Sequence, residues 1–240
     1  MRKNWVLNIQ LLAIFGVVVF LYAFASGRNQ KREITKPEVE IVDNNNPFLT
    51  PEMVNNLLKE KMRGSFSVAK EDLDLRIIEE AINNHKLVDS SEVYVSVDGR
   101  LKAIVTQKTP IARVFDHNDT YYIDYKGGKM PLSGNYSARV PLVYGSITNS
   151  YSKEIVGLLR LIHDDEFLKK NIIGLQIKTD GSVVMKNRNY SYDINFGRTI
   201  HMERKFNNYK AFFQKAVQDT VLDAYKTINL KFIKQVVCTK

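Results

Sequence analysis

The longest hydrophobic pattern lies at the start of the chain. Residues 5–25 carry no charge, and only Asn8 and Gln10 are strongly polar. At about 1.5 Å rise per residue the run reaches roughly 30 Å, the thickness of a bilayer's hydrocarbon core. Trp5 and Tyr22 stand near its two ends, where amphipathic rings favour the headgroup region. The pattern predicts one membrane-spanning helix. The alternative is a signal cleaved after Ala25, leaving a secreted binding protein, because Ala23-Phe24-Ala25 has small-x-small spacing. The run exceeds the roughly 7–15 apolar residues of a signal core, which favours the uncleaved anchor. Basic residues flank both ends, so charge does not set the orientation. The tail of residues 1–4 has little room for function, which places the bulk of the chain outside the cytoplasm.

Beyond a polar juxtamembrane linker, residues 26–37, the hydrophobic period changes repeatedly. Val39, Ile41 and Val42 predict a short strand, ended by the turn-forming residues 43–47. Thr50-Pro51 reads as a helix N-cap with proline at the first helical position. Met53, Val54, Leu57, Leu58 and Met62 follow at helical spacing, and Gly64 stops that helix. A second helix puts Leu73, Ile77, Ile78, Ala81 and Ile82 on one face. Val93 and Val95 then alternate with polar residues up to Asp98-Gly99, and Leu101, Ala103 and Val105 alternate back. That pattern predicts a hairpin with a tight two-residue turn. Strand, helix, helix, strand, strand within about 75 residues makes a compact α+β unit, one sheet face covered by the helices.

From residue 114 the texture changes to short strands. Residues 121–124, 130–132 and 139–145 predict three of them around the Gly127-Gly128 turn. A helix carries Ile155, Leu158, Leu159 and Ile162. Residues 175–178 and 183–186 form a hairpin across Asp180-Gly181, and residues 190–196 add another strand. Phe206, Tyr209, Phe213, Ala216 and Val217 mark a longer amphipathic helix. Residues 227–238 close the chain as a β-rich segment with no strand after it, expected at a sheet edge.

The formal charge of +9 changes little once it is divided. Five of the 35 Lys and Arg fall in residues 1–32, which hold no acid; the remainder sets 30 basic against 26 acidic residues. That is an ordinary solvated surface, which makes nucleic acid an unexpected partner. Cys238 is the lone cysteine, so neither an intramolecular disulfide nor a cysteine metal cluster is available. Asp72-Leu73-Asp74 matches the D-x-D spacing by which glycosyltransferases hold a metal and a sugar nucleotide. At a predicted helix start, however, carboxylates cap orphan N–H groups. His163-Asp164-Asp165 lacks any H-x-x-x-H or H-x-x-E-H partner spacing, and the other histidines are scattered. Nucleophile-elbow, Walker and Rossmann patterns are absent. The sequence therefore predicts no enzyme, no cofactor and no small-molecule substrate. The rival is a type II membrane glycosyltransferase built on Asp72 and Asp74.

In combination, several runs resemble the bacterial division protein family FtsQ/DivIB. Residues 88–105 are similar to the hairpin of its polypeptide-transport-associated (POTRA) domain. Gln107-Lys108-Thr109-Pro110-Ile111-Ala112-Arg113 is similar to the ERxPxA-type exit from that hairpin. Tyr122-Ile123-Asp124 with Gly127, and Val140 to Gly145, resemble the opening of its β domain. Thr227-Ile228-Asn229-Leu230-Lys231-Phe232 resembles its late DLRY-like strand. Lys108 stands where the family has arginine, and Asn229 where it has aspartate. The resemblance implies an α+β protein: tail 1–4, transmembrane helix 5–25, linker 26–37, POTRA-like β-α-α-β-β domain 38–113, and β domain 114–240 with a C-terminal helix and edge strand.

The same resemblance implies a scaffold of the inner-membrane division machinery, with its N-terminus cytoplasmic, its bulk periplasmic, and its location the septum. Its implied partners are FtsB-like and FtsL-like coiled-coil membrane proteins and the septal peptidoglycan synthase complex. A C-terminal edge strand suits that role, because its unpaired N–H and C=O groups can be extended by a partner segment. Thr227, Asn229, Lys231, Phe232 and Lys234 are the expected partner-binding residues, with Phe232 as apolar anchor and the two lysines meeting acidic groups.

Overall fold

The computed structural model describes residues 2–30, 35–42, 47–62, 73–96, 99–116, 119–145, 147 and 152–240. The chain divides into two compact units, residues 1–107 and 108–240. The first opens with α1, Arg2–Gln30. Asn8–Arg28 within it is long and apolar enough to cross a membrane, and Trp5, Phe15, Phe20 and Tyr22 are each at least two-thirds exposed. In water such a surface is untenable; in lipid it is the matching one. The helix continues through Ala25 without a break.

The rest of this unit contains β1 (Thr35–Val42), α2 (Pro51–Lys61), α3 (Leu75–Asn83), β2 (Val88–Val95) and β3 (Arg100–Gln107). β3 is central, parallel to β1 and antiparallel to β2. Thr50 is the N-cap of α2, its hydroxyl accepting from Met53 N at 3.3 Å, with Pro51 at the first helical position. The expected stop at Gly64 lies outside the described residues; Met62 is the C-cap. Val54 and Leu58 from α2, Ile78 and Ile82 from α3, and Leu101, Ala103 and Val105 from β3 make the core.

Two local expectations are corrected here. Ile77 is 54% exposed, because a helix of little more than two turns buries one narrow stripe, and Ile78 and Ile82 occupy it. The β2–β3 turn is also longer than two residues. Ser96 N donates to Arg100 O and Gly99 N to Ser96 O, so three residues separate the closing pair, with Gly99 at φ 85°. Lys178 and Ser182 close the other Asp-Gly turn in the same way, with Gly181 at φ 75°. In both, the glycine takes the left-handed position of a three-residue hairpin.

The second unit contains β4 (Pro110–Asp116), β5 (Asp119–Asp124), β6 (Lys129–Met130), β7 (Leu142–Tyr144), α4 (Ser152–Asp164), α5 (Glu166–Asn171), β8 (Ile172–Ile177), β9 (Val183–Asn187), β10 (Asp193–Gly197), α6 (Met202–Gln218), β11 (Thr227–Asn229) and β12 (Val237–Thr239). Among the described residues the strands form one nine-stranded mixed sheet, ordered β12-β11-β10-β9-β8-β7-β4-β5-β6. β4 runs continuously across the boundary expected after Arg113. Val114, Val143, Leu175, Met185, Ile194 and Ile228 point to one face, where α4 and α6 cover them with Ile155, Leu158, Leu159, Phe206 and Tyr209. Val217, expected on the buried face of α6, is 42% exposed.

Two polar devices fix this unit. The carboxylate of Asp124, only 5% exposed, takes an ion pair from Lys108 at 3.3 Å and a hydrogen bond from Gly128 N at 2.7 Å. The hairpin exit and the Tyr-Ile-Asp run thus meet at one point. Tyr209 lies fully buried with its hydroxyl 3.0 Å from Tyr192 Oη, and it accepts from Asn187 Nδ2 at 3.0 Å. Burial holds both phenols well above their ordinary range, so they act as neutral hydrogen-bonding groups.

Candidate partner-binding edge

The C-terminal segment is not one edge strand. β11 lies between β10, its parallel partner, and β12, its antiparallel partner, so its backbone groups are paired on both sides. The chain turns back between the two strands, and β12 is the outermost strand of the sheet. The edge expected at residues 227–238 therefore belongs to Val237, Cys238 and Thr239. None of the three is among the expected partner-binding residues, because residues 231–236 contain no Gly, Pro or Asn to mark the reversal that makes a second strand.

Thr227 and Asn229 are half-buried on the sheet face opposite the helices. Strand register sets Asn229 level with Asn195, Val184, Gln176 and Tyr144, and Thr227 level with Asp193, Lys186 and Gly174. Lys231, Phe232 and Lys234 are exposed in the β11–β12 connection, where Phe232 keeps 50% of its surface open. Phe232 is thus not a core residue.

That connection is pinned at several points. Leu230 is buried and its N–H donates to Asn195 O at 2.9 Å. Lys231 N donates to the Asn229 side chain at 3.0 Å, and Asn208 Nδ2 on α6 donates to Ile233 O at 2.8 Å. The Lys231 stem crosses Gly197 so closely that a Cβ there would lie 2.8 Å from Lys231 Cγ. Beneath it, the buried Lys205 ammonium donates to Phe196 O (2.9 Å) and Arg198 O (2.7 Å), tying down the backbone on both sides of Gly197. Burial pushes the Lys205 ammonium below its ordinary range. The exposed Phe232 therefore stands on a rigid base.

The residues that suggested chemistry are occupied otherwise. Asp74 is the N-cap of α3, accepting from Arg76 N and Ile77 N; Asp72 lies outside the described residues. Asp164 accepts from the Tyr125 hydroxyl at 2.9 Å, while Asp165 caps α5 and pairs with Lys210. His163 packs edge-on to Tyr125, and burial lowers its basicity. Cys238 is half-buried with its thiol pushed up, the opposite of an activated nucleophile.

A family model described as FtsQ/DivIB, C-terminal related, matches residues 109–239, more than half of the chain. The chain belongs to the FtsQ/DivIB family. A POTRA-like domain model matches residues 34–106, which cover the three-stranded sheet and its two helices. No curated protein matches the chain. Membership assigns this FtsQ/DivIB protein a role in cell division, and its apolar N-terminal helix fits a single-pass membrane anchor.

Proposed function

We propose that this FtsQ/DivIB protein is a non-enzymatic scaffold that captures a segment of a coiled-coil membrane partner at its C-terminal edge. The partner adds a strand to β12 and places apolar and acidic residues against Phe232, Lys231 and Lys234. FtsB-like and FtsL-like proteins are the partners this reading names, and bringing in the septal peptidoglycan synthase complex is the consequence. Residues 1–4 stand in the cytoplasm, residues 5–25 span the membrane, residues 26–37 link, and residues 38–240 lie on the periplasmic side, enriched at the septum.

The observation that supports the reading is a strand open on its outer side among the described residues, joined to a half-exposed phenylalanine on a braced loop. Other strand edges are guarded. β1 carries Pro37, Glu38 and Glu40, and the outward N–H of Val93 on β2 donates to the Glu79 carboxylate at 3.4 Å. β6, at the far end of the larger sheet, is two residues long. β12 has only Val237, Cys238 and Thr239, with Lys240 after them.

The test is co-purification from membranes of the tagged full chain, a chain ended after Gln235, and Phe232→Ala. Small coiled-coil membrane proteins should come down with the full chain and be lost from the shortened one. Phe232→Ala should reduce their capture by an amount equivalent to about 2 kcal/mol, as for a central aromatic anchor. Equal capture by all three proteins, each folded by near-ultraviolet circular dichroism, would refute the edge mechanism.

A further inference from the structure

The other half of the large sheet carries an arginine whose side chain has no polar partner among the described residues. Arg113 on β4 is half-buried, and its guanidinium carbon lies 5.4 Å from the centre of the Phe115 ring and 5.9 Å from that of Tyr122. Among the described residues its side chain makes no hydrogen bond and meets no carboxylate. Its Nε is buried and unsatisfied. Orphaned buried donors are rare, and one on a charged group is costly, because a guanidinium carries five donors and cannot shed its proton. Contact with two rings recovers part of that cost through the ring quadrupoles, but leaves Nε unmet.

Phe115 extends the feature. Its ring stacks on Tyr144 of β7 at 5.2 Å and 13°, and Tyr144 is 50% exposed. A cation with no carboxylate against it among the described residues thus lies beside an open aromatic shelf. Nε is the buried nitrogen of the group, and the Nη nitrogens, which keep solvent surface, can receive a carboxylate through two parallel hydrogen bonds.

We propose that Arg113, Phe115 and Tyr144 form a receptor for an acidic peptide segment of a protein partner, the carboxylate on Arg113 and a neighbouring apolar side chain on Tyr144. Charge complementarity selects the acid, and the exposed ring selects the apolar neighbour. The receptor is separate from the C-terminal edge. β4 and β12 stand six strand steps apart in the sheet, roughly 29 Å at the usual strand spacing. One partner chain can therefore engage both, or two partners one each, and this proposal stands whether or not β12 accepts a strand.

The test is nitrogen-15 NMR of the full chain in maltoside micelles, observing arginine Nε–Hε signals. The Arg113 signal is the one missing from Arg113→Lys. Acetyl-Glu-Leu-amide should shift it saturably together with the Tyr144 ring signals. Acetyl-Gln-Leu-amide and the Arg113→Lys protein should each bind about tenfold more weakly, the loss of one charge-assisted bidentate pair. Tyr144→Ala, at an exposed position, keeps the fold and should weaken binding while the Arg113 signal still responds. A motionless Arg113 signal, or an equal response to the glutamine peptide, overturns the proposal. Tighter binding of inorganic phosphate than of the glutamate peptide also overturns it, reassigning the site to a phosphate ligand.

Discussion

Lys108 and Asp124 offer the sharpest test of how the second unit is held together. The Asp124 carboxylate is 5% exposed and Lys108 is 22% exposed, their charged atoms 3.3 Å apart. Gly128 N supplies one further hydrogen bond at 2.7 Å. Lys108→Met keeps the stem's length and removes the charge, leaving a buried carboxylate with one donor. Removing one member of a buried pair costs about 3–5 kcal/mol, and the partial exposure of Lys108 puts this case near the lower bound, about 3 kcal/mol. Asp124→Asn leaves an uncharged acceptor for Gly128 N–H and an uncompensated but partly solvated lysine, costing about 2 kcal/mol. The double variant has no orphaned charge and should lose only about 2–3 kcal/mol, so the pair is coupled by about 2–3 kcal/mol. Urea unfolding of the full chain in micelles, followed by tyrosine near-ultraviolet circular dichroism, reads the unit in which most of the tyrosines lie. Losses that add within about 0.5 kcal/mol would mean the two groups act independently, and the ion pair would not be the clamp described above.

Four further variants have outcomes set by the local geometry. Gly145 sits at φ 107°, and a Cβ there would lie 2.7 Å from the Ile177 backbone oxygen, so Gly145→Ala should cost about 3 kcal/mol in thermal unfolding. Gly134→Ala, in open space, should stay within about 0.5 kcal/mol. Tyr209→Phe strips the buried Asn187 amide and Tyr192 hydroxyl of their shared partner and should cost about 1–3 kcal/mol by urea titration, with the helix content unchanged. Partial burial raises the Asp165 carboxyl, but the Lys210 ammonium and the α5 N–H groups outweigh it and hold the group below the ordinary carboxylate range. A depressed carboxyl stabilises the fold above its unfolded value, about pH 4, and loses that contribution as pH falls through the folded value. Asp165→Asn should therefore lower the melting temperature at pH 7 and change it little at pH 2; equal losses at both would refute the charge-based account.

Local patterns carried much of this protein by themselves. An apolar run of bilayer length fits a helix in lipid, and Thr50-Pro51 needs nothing beyond its own turn to start α2. The alternation on either side of Gly99 and Gly181 likewise names two hairpins, and the order of anchor, hairpin, its exit at residues 107–113, the opening of the β domain and the late strand at residues 227–232 suggests the family. What the sequence withheld depends on neighbours in space. Ile77 and Val217 have the right residue type and roughly the right period, yet each faces solvent because the buried stripe of a packed helix is narrower than its apolar residues allow. The unmarked reversal between Asn229 and Val237 moved the sheet edge by one strand, since a strand is an edge only if nothing pairs outside it. Lys108 reads as an ordinary charge until Asp124 is brought beneath it, and Arg113 as an ordinary arginine until the fold sets it against two rings and, among the described residues, leaves its Nε unpartnered. Periodicity is written in the bonds between successive residues, whereas pairing, burial and the absence of a partner are properties of contacts that only the folded chain creates.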